Sequence, residues 1–106
     1  MALKWPPKDP DETLDFSVDW SRYLDGDTIT SVVWYCVDEN GVKQRFNDTQ
    51  TINGLQRASA SNTDTVAVLQ LALGTVNTMY HIYCQITTSG LVTTERKINL
   101  RVRQRD

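Results

Sequence analysis

The chain reads as an all-β protein: an antiparallel β-sandwich with an extended N-terminal arm. Three observations carry that reading. Apolar and polar residues alternate at period two through several short runs, the spacing of a strand with one buried face. Gly and Asn turns separate those runs at short intervals. No 3.6-residue apolar period persists long enough for a helix of any length. At 106 residues, with 40% hydrophobic and 23% charged content, the chain is one domain with a single core.

Residues 1–13 hold all three prolines, at positions 6, 7 and 10. Each fixes its own φ and pushes its predecessor toward extended geometry, so residues 5–10 form a stiff, polyproline-like arm. The sandwich then occupies 14–106. Leu14, Phe16, Val18 and Trp20 alternate with Asp15, Ser17 and Asp19 as the first strand, and Asp25-Gly26-Asp27 turns the chain. Residues 28–37 are rich in β-branched side chains and bulky on both faces, with Ile29, Val33 and Tyr35 on one and Val32, Trp34 and Cys36 on the other. That is the pattern of a central strand. Asn40-Gly41 predicts a type I′ hairpin into a return strand over 42–46. Residues 47–62 are polar and carry little strand signal, with Ile52 and Leu55 as isolated anchors and Asn53-Gly54 as a turn. Strands resume over 63–73, over 78–87 with Tyr80, Ile82, Cys84 and Ile86 on one face, and over 92–103 after the Ser89-Gly90 turn. The expected core is Phe16, Val18, Trp34, Tyr80, Ile82, Ile86, Leu100 and Val102.

One local motif narrows the architecture. Leu73-Gly74-Thr75 followed by Tyr80-His81-Ile82 has the layout of a tyrosine corner, in which a Tyr hydroxyl returns to the backbone of the preceding turn. Together with Trp34 in mid-strand it predicts an immunoglobulin-like or fibronectin-like sandwich. That architecture alone sets no function.

The net charge of −2 hides an asymmetry: residues 1–48 carry ten acids against five bases, and residues 49–106 three acids against six bases. Such a layout suits head-to-tail or arm-to-strand contacts better than binding a polyanion, so nucleic acid is not an expected partner. The longest apolar runs, such as Val66-Ala67-Val68-Leu69, fall far short of the ~20 residues that span a bilayer, and prolines interrupt any leader-like start. A protein made in the cytoplasm, with no membrane partner, is expected. Cys36 and Cys84 then default to reduced core thiols, although two strands facing each other across a sandwich could bring them together.

Residue types that might carry chemistry form no frame. His81, the only histidine, has no nucleophile motif around it and reads as an outward-facing strand residue. Asp9, Asp11, Glu12, Asp25 and Asp27 match no calcium loop, and the cysteines are too far apart in sequence for a zinc knuckle. No catalytic residue, cofactor or metal ligand is expected. Arg101, Arg103 and Arg105, with Arg96 and Lys97, are the one basic cluster. They form either a solvated edge paired with Asp15 and Asp19, or an interface to an acidic patch on a neighbouring subunit. Trp5 is either an apolar anchor for a partner, rimmed by Asp9, Asp11 and Glu12, or a residue folded back over its own sheet edge.

The stretch from Asp9 to Trp34, with its acidic Pro-restrained start, alternating strand, Asp25-Gly26-Asp27 turn and Trp-ending strand, resembles the opening of a family of small tailed-phage structural proteins of the fiber–tail adaptor type. Thr94-Glu95-Arg96 and Ile98-Asn99-Leu100-Arg101-Val102-Arg103 are similar to its closing strand. The family's arm motif falls on Asp9, Pro10, Glu12, Leu14, Asp15, Phe16, Asp19 and Trp20, and the likeness is weakest over 38–62. The resemblance implies a non-enzymatic virion protein that links tail and fiber subunits, made in the host bacterial cytoplasm and self-associating within the particle. A capsid decoration or head–tail joining role, and a carbohydrate-binding module using Trp5, Tyr23, Tyr35 or Tyr83, are the rival readings.

Overall fold

A computed structural model of the chain describes residues 3–104. In chain order the elements are β1 (Leu3–Lys4), β2 (Leu14–Asp19), α1 (Ser21–Leu24), β3 (Ile29–Val37), β4 (Lys43–Arg45), β5 (Thr51–Ile52), β6 (Leu55–Asn62), β7 (Val66–Leu73), β8 (Thr78–Thr88) and β9 (Thr93–Val102). They form two packed sheets, ordered β1-β9-β8-β3-β4 and β2-β7-β6-β5. All strand pairs are antiparallel except β1, which lies parallel to β9.

Period-two patterning builds the core. Tyr80, Ile82, Cys84 and Ile86 project inward from β8, Ile98, Leu100 and Val102 from β9, and Ala67, Leu69 and Leu71 from β7. Phe16 and Val18 face them from β2, and Trp34 lies between the sheets at 1% exposure. All the expected core residues are buried. Ile29 is buried too, contrary to its expected face. A bulge between Ile29 and Ser31 shifts the register with β8, leaving Val33 and Tyr35 half-exposed on the outer surface.

Tyr80 closes the β7–β8 corner. Its hydroxyl donates to the Asn53 carbonyl at 2.6 Å and accepts the Thr75 amide at 2.8 Å, so one side chain ties together two connections. Gly54 lies against this junction with φ +85°, and a Cβ there would collide with the Thr75 hydroxyl.

Several expectations are corrected. The Asn40-Gly41 turn is not type I′. Only Gly41 has positive φ, the Gly41 amide bonds the Asp38 carbonyl, and the Asp38 amide bonds Val42, which is a type I turn followed by a left-handed glycine. Cys36 and Cys84 do not face each other across the sandwich. They lie on β3 and β8 of the same sheet, offset in register, and both are free and buried. Asp15 and Asp19 are not cross-strand partners of the arginines, because β2 pairs with β7 in the opposite sheet.

The arm is the largest correction. It belongs to the sandwich instead of preceding it. Leu3 and Lys4 pair with Ile98 and Asn99; further along, the Trp5 and Lys8 amides bond the Asn99 and Arg101 carbonyls, and the Arg103 amide bonds the Lys8 carbonyl. Proline at 6 and 7 removes two donors but keeps the backbone extended, so the segment follows β9 with its remaining groups.

Candidate interaction surfaces

The predicted anchor Trp5 is inside the molecule, at 7% exposure. Its ring stacks on Phe16 at 4.9 Å between centroids and approaches Trp34 at 6.1 Å, while its indole N–H donates to the Ser17 carbonyl at 2.9 Å. In this conformation the residue covers the β2 edge and offers nothing to a partner.

Beside it, Lys8 is fully buried, with Nζ donating to the Asp9 carbonyl at 2.8 Å and to the Leu73 carbonyl at 2.7 Å. Leu73 is left-handed (φ +60°), so its carbonyl turns away from the β7 ladder toward the ammonium. Burial pulls the Lys8 pKa below its ordinary value, against the opposing pull of Glu12, Asp9 and Asp11.

Those three acids form a compact turn. The Asp9 amide donates to a Glu12 carboxylate oxygen, the Glu12 amide to the Asp9 carbonyl, and the Asp11 amide to an Asp9 carboxylate oxygen. The reciprocal pattern is that of a capping box, which explains the residue spacing without any ligand. Asp11 is the exposed member. Because Lys8 is bonded to Arg101 and Arg103 through the backbone, the acidic turn and these two exposed arginines lie at one end of the molecule. Arg105 lies outside the described residues. The same end exposes Leu73, Val76 and Met79, which sequence patterning did not single out.

The opposite end is built from the β2–β3, β6–β7 and β8–β9 connections. The Ser89 amide bonds the Thr28 carbonyl, the Ile29 amide bonds Asp64, and the Trp20 amide bonds Thr65. From this frame Tyr23, Leu91 and Val92 project into solvent, Leu91 at 87% exposure and with φ +64°. A left-handed leucine at a loop tip is costly in both backbone strain and exposed apolar area. Leu91 and Val92 stand next to each other in the sequence, but only the turn geometry reveals that neither is buried.

The outer face of the five-stranded sheet gathers Lys4, Arg45, Lys97 and Arg101, all exposed, around the neighbouring Tyr35 and Tyr83 of β3 and β8. Lys43 lies over both rings, 4.6 and 4.3 Å from their centroids, and pairs with Glu95 at 2.6 Å. The bases therefore make a broad face, which sequence order concealed by placing them on four strands. His81 sits on this face with Nδ1 2.8 Å from the Asn99 side-chain oxygen. Arg96 departs from it and lies over the Trp20 ring at 4.2 Å.

A cleft of about 180 Å³ opens beside β6, lined by Val32, Trp34, Arg57, Ala60, Ser61 and Asn62. Arg57 is its one ionisable side chain, and it is engaged by the Phe46 carbonyl and by Asp48. Burial pushes both cysteine thiols up to about 12, far from the range of a reactive thiolate.

Residues 8–101 match a family model described as Podophage GP4 fiber-tail adaptor protein gp77. No curated protein matches the chain.

Proposed function

The chain belongs to the family of podophage fiber-tail adaptor proteins, and from that premise we propose that it is a non-enzymatic virion component joining tail and fiber subunits by protein–protein contact. The observation that carries the proposal is bipolar. Exposed apolar residues collect at both ends of β8, with Leu73, Val76 and Met79 at its start and Tyr23, Leu91 and Val92 beyond its end. Eleven residues of strand at ~3.3 Å each separate the two groups by roughly 35 Å. An adaptor must hold two unlike neighbours at once, and separate apolar sites on a stiff strand allow that without collision.

At the first end, Asp9, Asp11, Glu12, Arg101 and Arg103 supply a polar rim of mixed sign, which favours orientation and partner choice over raw affinity. Synthesis in the host cytoplasm suits two buried, reduced thiols. The immunoglobulin-like assignment is supported by the β2-β7-β6 and β9-β8-β3-β4 strand orders and by the Tyr80 closure.

The test uses two double variants, Val76→Asp with Met79→Asp, and Leu91→Asp with Val92→Asp. These positions are exposed, and Asp tolerates the left-handed backbone at 91 better than Leu. Both proteins should keep the wild-type melting temperature. In capture experiments with purified virion proteins, each should lose either the tail or the fiber partner and retain the other. Retention of both partners by both variants would refute the bipolar reading.

A further inference from the structure

One stretch of sheet edge is left bare. β5 pairs only with Leu55 and Gln56, and the Gln50 carbonyl takes the Arg57 amide, so from Ala58 to Asn62 the outer side of β6 has no neighbouring strand among the described residues. Other edges are blunted by charge, proline or a covering side chain. β4 carries Lys43 and Arg45, β1 runs into Pro6 and Pro7, and β2 carries Asp15 and Asp19 with the Trp5 indole bonded over it. Residues 58–62 read Ala-Ser-Ala-Ser-Asn, with neither charge nor proline. The ladder fixes which groups point outward. The Thr63 amide bonds the Val66 carbonyl, so Ser61 with Val68 and Ser59 with Gln70 are the next hydrogen-bonded pairs. Ala60 and Asn62 therefore turn their amides and carbonyls away from β7. Beside them opens the cleft of about 180 Å³, where Val32 and Trp34 of β3 face Ala60 across the mouth of the sandwich. We infer that this edge and cleft receive an extended peptide segment of another protein, which pairs with β6 as an added strand and lowers one aliphatic side chain into the cleft.

The chemistry of the segment follows from what it would touch. A strand laid ~4.8 Å from β6 alternates its side chains between solvent and the ~10 Å gap between the sheets, so its inward residue meets Val32 and Trp34. A void of ~150 Å³ holds a benzene ring, so this cleft takes a side chain the size of leucine. Arg57 closes the cleft at the β5 end, and Asp48 already meets its charge, so the segment is uncharged where it enters. Its main chain supplies most of the affinity, and the inward side chain supplies selectivity. A second copy meets these requirements poorly. Two β6 edges laid together would bring no side chain to either cleft beyond the Ala60 that already walls it, and the exposed pair Leu91 and Val92 lies in the β8–β9 connection, not in extended chain. A glycan fits less well still, because Trp34 is 1% exposed and has no free ring face to offer. The site shares no residue with the two apolar ends, so its failure would leave the adaptor reading standing.

The experiment titrates the isotope-labelled full chain with the peptide Lys-Thr-Val-Thr-Leu-Thr-Val-Thr-Lys and follows the backbone amides by NMR. Wild type should bind it saturably, and solvent exchange of the Ala60 and Asn62 amides should slow at least ~10-fold, while Ser59 and Ser61, already in the β7 ladder, change little. Replacing the peptide's leucine with alanine should weaken binding about 10-fold. Two variants test the two halves of the site. Asn62→Pro removes an outward amide without touching the ladder, at a position where an edge strand accepts proline. Ala60→Leu fills the cleft from within. Each should melt close to wild type and bind the peptide at least ~10-fold more weakly. Leu91→Asp with Val92→Asp should bind it as wild type does, which separates this site from the neighbouring end of the molecule. Absence of a saturable effect at Ala60 and Asn62 overturns the inference, as does undiminished binding by either folded variant. Maltoheptaose producing the same changes in place of the peptide overturns it in favour of a glycan. Protection of the two amides that rises with protein concentration alone overturns it in favour of a second copy.

Discussion

Replacing Trp5 with Ala tests whether the N-terminal segment is part of the folded core. The side chain is 7% exposed, stacks on Phe16, approaches Trp34 and donates a hydrogen bond to Ser17. Truncating a buried aromatic costs ~3–5 kcal/mol, and the lost stacking and hydrogen bond fall within that range because the Ser17 carbonyl lies on an edge that water can reach. At ~2.1 cal/mol/K per residue, unfolding 106 residues carries about 220 cal/mol/K, so each kcal/mol moves the melting temperature by ~4.5 °C. The expected loss is therefore ~13–22 °C, read by circular dichroism on heating. Trp5→Phe keeps most of the packing and loses the N–H, so it should fall well short of that. A Trp5→Ala protein melting within ~3 °C of wild type, yet failing to enter particles, would refute this reasoning and return Trp5 to the role of partner anchor.

Tyr80→Phe removes the bonds to Asn53 and Thr75 with little change of shape, and should cost ~1–3 kcal/mol, or ~5–13 °C in melting temperature; an unchanged melt would show the corner to be held by packing alone. Cys36 and Cys84 should resist a thiol reagent at pH ~8 in the native protein and both react once it is unfolded, since burial holds them near 12. Rapid native labelling would place at least one outside the core. Lys8 has a folded pKa below the ordinary 10.5, so between those two values the unfolded chain holds the extra proton and the Lys8 contribution to stability rises with pH. Lys8→Met should flatten that rise in melts taken from pH ~7 to ~10; equal slopes in the two proteins would clear Lys8 of the effect.

Strands that bury one face were legible because their sequences alternate, as in Phe16-Ser17-Val18 and Tyr80-His81-Ile82. The tyrosine corner was legible because its turn and its Tyr are close in sequence. β6 was not, since Gln56, Ser59, Ser61 and Asn62 lie at the rim of the smaller sheet and require no apolar alternation. Ile29 was misplaced because a bulge shifts register without leaving a mark in the sequence. Trp5 was open to two readings, as proline restrains a backbone without saying what lies beside it. The apolar residues at the two ends were invisible for a related reason: exposure at Leu91 is decided by a left-handed turn, and at Met79 by the parity of a strand whose other face fills the core.

The parallel pairing of β1 with β9 also orders events in time. Leu3 meets Ile98, so a segment that leaves the ribosome early finds its place only after one made some 95 residues later has emerged. Closing a loop of some 95 residues costs ~2 kcal/mol more entropy than closing one of ten, which makes this among the latest contacts to form. Until then the β2 edge, which Trp5 covers in the finished molecule, lies open to pairing with other chains. Emergence of β9 and protection of the β2 edge are thus one step, and a product cut short before Ile98 has no strand on which to seat Trp5.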